Sequence, residues 1–240
     1  MSQNVSMIRR RASKESLSSG RLRWLAALLA VAGGATLAAG LWWRKNPSPC
    51  PYGLRLWVQV PHPIITHSRL KRILEPRPGE RLLEIGPGTG YYTMDLAEWI
   101  GDGELEILDI QPQMLEHTMR KVRSRGLTNV SSSQADATNL PHPGGSFDAA
   151  LLVTVFGEIP DGDAALREVH RVLRPGGRLV VGEIAVGDPH FSRLGSLRAR
   201  ARRAGLAPNG HSGFPFAYFA RFTKPGLRIP AHEQARNETG

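Results

Sequence analysis

Three glycines separated by single residues, Gly86, Gly88 and Gly90, follow directly on the apolar run Leu82–Ile85 and precede a helical pattern that starts at Tyr91. Strand, tight turn and helix in that order are the opening of an α/β domain. Glycine accepts positive φ and carries no Cβ, so main chain at these positions can lie directly against a bound molecule. A small-molecule pocket at the carboxyl end of the first strand follows. A dinucleotide fingerprint, G-x-G-x-x-G, needs its third glycine at position 91, where this chain has Tyr91. That spacing disfavours a nicotinamide oxidoreductase.

Alternation of strand and helix continues downstream. Glu104–Ile110 reads as a second strand, and Asp109 near its end lies 19 residues after Gly90. That is close to the offset at which nucleotide-binding folds set an acid on ribose, and a carboxylate can accept hydrogen bonds from both vicinal hydroxyls. Gln111–Gly126 is expected to be a helix, and Asn129–Gln134 a third strand of poor pattern because of its three serines. Asp148–Val155 is the most apolar strand, which suits a central parallel position. Helix Asp163–Leu173 should be stopped by Leu173-Arg174-Pro175-Gly176-Gly177, with strand Arg178–Glu183 after it. Phe191–Ala204 is a basic helix and Phe214–Phe222 an edge strand, whose partner between Gly205 and Gly213 is hard to discern.

The full pattern E-x-G-x-G-x-G, opened by Glu84, resembles the first motif of class I S-adenosylmethionine (SAM) dependent methyltransferases, of the type 11 or UbiE-like kind. The resemblance covers roughly Pro61 to Phe222. It implies an α/β, Rossmann-like, doubly wound fold: a mostly parallel seven-stranded sheet with helices on both faces. It also implies SAM as cofactor, held by Glu84, Gly86, Gly88 and Gly90, with Asp109 on the ribose and Ile110 beside the adenine. Ala135-Asp136-Ala137 followed by Leu140-Pro141 resembles the family's adenine turn, which puts adenine contacts on Asp136 and Ala137. Val153, at the end of the fourth strand, would open onto the sulfonium and the acceptor. Methyl transfer from a sulfonium needs no catalytic triad, since the leaving group departs as a neutral thioether. Where the acceptor has a proton to lose, Glu158 is the first candidate base, ahead of Glu183 and His190. The family's lid segment makes His62 and His67 further candidates for substrate contact.

Composition places this domain within a longer organisation. Residues 1–23 hold six Lys or Arg against one Glu, and residues 191–240 nine against two, which leaves 16 basic and 18 acidic residues between them. Basic character at the ends suits an anionic membrane surface and disfavours nucleic acid running through the active site. From Trp24 to Trp43 the chain has 20 residues without a charge, with tryptophans at both ends and cations on both flanks. As a helix this stretch is about 30 Å long, one hydrocarbon thickness. It reads as a single-pass anchor, with the apolar region of a cleaved export signal as the alternative. The flanking cations favour a cytoplasmic amino end, whereas a need for SAM favours a cytoplasmic catalytic domain; the cofactor argument carries more weight.

The expected organisation is therefore a basic arm (1–23), a membrane helix (24–43), a proline-rich linker (44–60), the methyltransferase domain (61–222) and a disordered tail (223–240). The single cysteine, Cys50, excludes an intrachain disulfide and a cysteine-rich metal site, so no metal is expected. The function expected is methyl transfer from SAM to a small-molecule or lipid acceptor at the membrane. A SAM-fold binding protein without turnover is the alternative.

Overall fold

The computed structural model describes residues 46–54 and 64–226, together with positions 31, 33, 34, 38 and 42. Two compact units divide at residues 46 and 47. In the first, the described positions of 31–42 are helical and exposed. The rest of the expected membrane helix 24–43, like the expected arm and most of the expected tail, lies outside the described residues. Among the described residues, no helix is long and apolar enough to cross a membrane.

The second unit is built on a seven-stranded sheet in the order β3-β2-β1-β4-β5-β7-β6. Its strands are β1 (Arg81–Ile85), β2 (Glu104–Asp109), β3 (Val130–Gln134), β4 (Phe147–Val153), β5 (Leu173–Ile184), β6 (Ala207–Phe214) and β7 (Ala217–Thr223). The first five run parallel, and β7 joins β5 antiparallel, with β6 outermost. Parallel neighbours require crossovers, and here helices supply them on both faces. One face is covered by α1 (His67–Leu74), α2 (Thr93–Trp99) and α3 (Pro112–Ser124), packed against Leu82, Leu105, Ile107, Ala149 and Leu151. The other is covered by α4 (Gly162–Val172) and α5 (Leu194–Arg203), packed against Leu83, Ala150, Leu152 and Val181. Strand β4 contributes to both cores, as its unbroken apolar run requires.

Two expectations change. Leu173–Gly177 ends α4 as expected, Val172 being the last helical residue, but the stretch also forms the first part of β5, across a register irregularity against β4. Leu173 pairs with Phe147, Gly176 N donates to Lys224 O (2.9 Å) and Lys224 N to Gly177 O (2.8 Å). The partner that ties this stretch into the sheet lies some fifty residues on, beyond the reach of a local pattern. The aromatic strand is β7, and it is not an edge: it lies between β5 and β6. β6 is the edge strand, and its Pro208, Asn209, Gly210 and Gly213 hide it from any alternation rule. A register irregularity between Pro208 and His211 accommodates them.

The amino edge of the sheet is tied to α1 by Arg178 on β5, only 6% exposed. Its guanidinium forks onto both Glu80 oxygens and donates to the carbonyls of Leu74 and Glu75 at the end of α1. Burial raises the Glu80 pKa, but the Arg178 bonds outweigh it and hold the carboxyl below its ordinary value. Such a group stabilises the fold above its unfolded pKa and loses that contribution as pH falls through the folded value. Arg178→Met, which leaves Glu80 buried without its cation, should cost about 3–5 kcal/mol in urea unfolding at pH 7. The loss should shrink below about pH 4, and a loss under 1 kcal/mol would remove this pair from the framework.

Candidate active site

Every parallel strand ends on the same edge of the sheet, and that edge gathers the expected site residues. Gly86, Gly88 and Gly90 all have positive φ (68°, 56° and 76°), so the turn consists of main chain in a conformation that other residues resist. It is also tightly held. A Cβ at Gly86 would come within 2.8 Å of Val155 Cγ1, and one at Gly90 within 2.9 Å of Thr118 Cγ2. From α3, Thr118 Oγ1 donates to Gly88 O (2.9 Å) and Lys121 Nζ to Thr89 O (2.8 Å). The turn does not pass straight into helix at Tyr91, as expected; α2 starts two residues later, at Thr93.

Glu84 is buried beneath this turn and accepts a 2.6 Å hydrogen bond from Thr93 Oγ1, which joins the end of β1 to the start of α2. Burial pushes its pKa up to about 7, partly offset by that bond. Asp109 ends β2, 8% exposed, and burial pushes it up to about 6 against the N–H groups of Gln111 and Ile110. Ile110 beside it is half exposed. The loop after β3 meets the same place through Ala135 N donating to Asp109 O (3.2 Å). There Ala137 is buried, while Asp136 is exposed and Oδ1 accepts from Thr138 N (2.8 Å), closing an Asx turn. Val153 ends β4, half-buried, and Thr154 after it has φ 55°, a strained backbone at a strand end of the kind that sites retain.

Glu158 lies in a 3-10 turn after β4, where burial pushes its pKa up to about 7, helped by Asp188 and Asp109 nearby. It accepts from Cys50 N (3.0 Å), and Gln111 Nε2 donates to Cys50 O (3.0 Å), so the proline-rich linker crosses this edge. Glu183 on β5 is fully buried and pushed up to about 8 by that burial, with Asp188 and Glu158 adding to it. Its Oε2 accepts from Ser192 N (2.9 Å), while Oε1 has no hydrogen-bond partner. His190 contributes backbone: its N donates to Asp188 Oδ1 (2.7 Å) and its carbonyl packs on Gly157. His67 pairs through Nδ1 with Asp95 and packs at a tilt against Tyr91 and Tyr92, with centroids 4.6 and 5.0 Å away. His62 lies outside the described residues.

Lys121, Thr93 and Asp188 are not singled out by the sequence, which reads Val155 and Thr118 only as part of a strand end and of a helix face. Only their position relative to the turn gives them a role, and no motif carries that. Among the described residues, no cluster of side chains is arranged to hold a metal. The groups present suit a nucleoside bearing a positive charge: a cradle that a Cβ would fill, an acid at the end of β2, and several buried carboxylates around the opening.

Residues 82–177 match the model of a family described as a methyltransferase domain. Over 111 residues the chain is 41% identical to the ubiquinone/menaquinone biosynthesis C-methyltransferase UbiE of Shewanella oneidensis. That match covers 45% of this chain and 44% of the relative, so the chain spans less than half the length of the curated relatives it matches. Among solved structures, a SAM-dependent methyltransferase from Aquifex aeolicus superposes with a TM-score of 0.68 at 18% identity, over 73% of this chain and all of that one. The [4+2]-cyclase SpnF superposes with a TM-score of 0.61 at 21% identity, over 67% of this chain and 80% of that one.

Gly86→Ala meets two penalties, the positive φ and the Val155 methyls, and should cost roughly 1–3 kcal/mol or more of stability. Adding Val155→Ala should return only the steric part; complete recovery would show that the left-handed backbone is not required. The raised carboxylates set a pH dependence in the ligand-free protein. Their folded pKa values exceed the unfolded ones, so the stability present at low pH is lost as pH rises through about 6 to 8. Thermal midpoints should fall from pH 5 to pH 8, and Glu183→Gln should flatten the curve; a midpoint independent of pH would contradict this electrostatic picture.

Proposed function

We propose that this chain, whose residues 82–177 form a methyltransferase domain of the SAM-dependent kind, methylates an amphipathic acceptor, a lipid or quinone-like molecule, at a membrane to which residues 24–43 tether it. One observation carries the reading: bare main chain at 86–90, Asp109 and the carboxyl of Glu158 lie along a single edge of the sheet. When bound there, SAM supplies an electrophilic methyl group on a sulfonium.

What remains for the protein is largely placement. Holding two reacting atoms about 3–3.5 Å apart and in line can supply much of the barrier reduction. The turn, clamped by Thr118 and Lys121, fixes the depth of the cofactor. Asp109 accepts from the ribose hydroxyls, Ile110 covers the adenine, and Asp136 and Ala137 bound its far side. Glu84 acts from below by holding the turn to Thr93. Val153 and Thr154 line the approach to the acceptor.

The matched relatives are C-methyltransferases of quinone biosynthesis, which supports a ring carbon as the atom methylated. Such a carbon carries a proton that must leave. Glu158, with its pKa near 7, both takes up and gives back a proton at neutral pH, which fits it to receive that one. The catalytic domain is proposed to face the cytoplasm, where SAM is made. The likeness to a [4+2]-cyclase keeps a second reading in view, a SAM-fold protein with no methyl transfer, because this fold serves other chemistry.

Incubation of the full chain with tritium-labelled SAM and a membrane lipid extract should yield labelled, organic-soluble product. SAM binding with no labelled product would favour the second reading. Asp109→Ala should weaken SAM binding by about 1–3 kcal/mol in calorimetry. In the unsubstituted protein the affinity should fall as pH drops through about 6, where Asp109 takes up a proton and can no longer accept from two hydroxyls. Unchanged affinity would take Asp109 out of the site.

A further inference from the structure

The turn between β6 and β7 exposes two large aromatic side chains. Phe214 is 50% and Phe216 48% exposed, and their rings stack with centroids 5.6 Å apart at 8°. Phe214 pairs with Ala217, Ala217 with Ile184 at the end of β5, and Ala185 N donates to Phe216 O (2.8 Å). The turn therefore projects from the carboxyl edge, the edge that holds the glycine turn, three strands away from β1. Val186, 73% exposed, and Ile110, 49% exposed, follow the ends of β5 and β2 on that same edge.

Cations surround the aromatic tip. The Arg69 guanidinium lies over the Phe214 ring at 5.8 Å. Beside the tip is a groove of about 400 Å³ between Phe191 and Leu194 on one side and Phe214 and Phe216 on the other; Arg193 and His211 line it, and no carboxylate does. Arg198 Nη2 is 3.0 Å from His211 Nδ1, which adds a further charge at this wall. Two other arginines of α5, Arg200 and Arg203, are occupied by Asp163 on α4. An apolar tip set among unneutralised guanidinium groups has the chemistry of an interfacial anchor: rings for the acyl boundary, cations for phosphates.

The course of the linker is a second, independent observation. Cys50 is fixed to this edge by its backbone bonds to Glu158 and Gln111. From Trp43, the end of the uncharged stretch, to Cys50 is seven residues, at most about 25 Å of extended chain. The linker thus joins the domain at its carboxyl edge, the edge that carries the aromatic tip.

We propose that the carboxyl edge is a membrane-docking surface for an anionic phospholipid bilayer, with Phe214 and Phe216 inserted below the headgroups and Arg69, Arg193 and Arg198 on the phosphates. The consequence is that the opening of the active site faces the bilayer, and an acceptor too apolar for water reaches it without leaving the interface. The inference rests on the membrane part of the proposed function and is independent of methyl transfer.

The single native cysteine makes the test direct. In the full chain carrying Cys50→Ser, which keeps the backbone bonds of that residue, Pro215→Cys takes a nitroxide label at the tip. Ser124→Cys, exposed at the far end of α3, serves as reference. The protein is reconstituted with 7:3 phosphatidylcholine:phosphatidylglycerol vesicles or with phosphatidylcholine alone, and relaxation by oxygen is compared with relaxation by a water-soluble nickel chelate. The label at 215 should show a several-fold higher oxygen-to-nickel ratio than the label at 124, equivalent to a depth of roughly 5–10 Å. The contrast should be largest with the anionic vesicles and lost on adding Phe214→Ser and Phe216→Ser.

A chain that floats with vesicles while position 215 stays as nickel-accessible as position 124 would overturn the docking surface and leave the tether standing. A chain that does not float would overturn both. Spin–spin broadening at 215 without any vesicles would assign the face to a second copy of the chain and overturn the proposal. SAM binding, measured on the same samples, reports on the catalytic reading separately.

Discussion

Between Ile85 and Tyr91 the main chain must reverse through three left-handed conformations in a space that leaves no room for a Cβ against Val155 and Thr118. Much of the domain serves that condition. β1 brings the chain to the turn with four buried residues in succession, α2 carries it away, and α3 holds it from the side through Thr118 and Lys121. Val155, following β4, closes the remaining approach. A turn held this way needs little rearrangement when a ligand arrives, so less affinity is lost to ordering.

The second constraint is electrostatic. Glu84, Asp109, Glu158 and Glu183 are all carried to the carboxyl edge and buried there, and each has its pKa raised because a charged carboxylate is poorly solvated in that position. Such an arrangement works against folding at neutral pH, and the amino edge offsets it with a satisfied pair, Arg178 and Glu80. The two edges thus have different tasks. One is tied together by the fork of Arg178 on Glu80 and the end of α1, while the other retains groups, such as Glu183 Oε1, that the fold leaves without a partner. A positively charged nucleoside would relieve the second edge in a way that no side chain among the described residues does.

The strong local signals led to the right elements. Leu82–Ile85 and the apolar run before Val153 became β1 and β4, because a buried parallel strand needs apolar sequence that is visible residue by residue, and the alternation of Glu104–Ile110 became β2, ending at Asp109. Asp109 could be placed at a strand end from its distance to the glycines, since a strand-turn-helix-strand unit has a nearly fixed length. β6 could not be read, because Pro208, Gly210 and Gly213 are tolerated only where one side of a strand has no neighbour. Leu173–Gly177 stops the helix as its proline and two glycines indicate locally, and Gly176 is left-handed; what no local pattern shows is that Lys224 ties the stretch into β5. The convergence of Cys50, Gln111 and Glu158 had no sequence signature, as the three residues are brought together only by the route of the linker.

What the sequence determined by itself was the alternation of strand and helix, the bare turn at 86–90 and the acid at the end of the following strand. Each of these depends on periodicity, the absence of a Cβ or a short spacing, which are properties of a segment. Tertiary structure alone decided that β7 lies inside β6, that carboxylates from four segments share one edge, and that Phe214 and Phe216 project from that edge among arginines. Those features depend on which distant segments become neighbours. That is settled by the summed burial and hydrogen bonding of the whole sheet, and no window of sequence contains it.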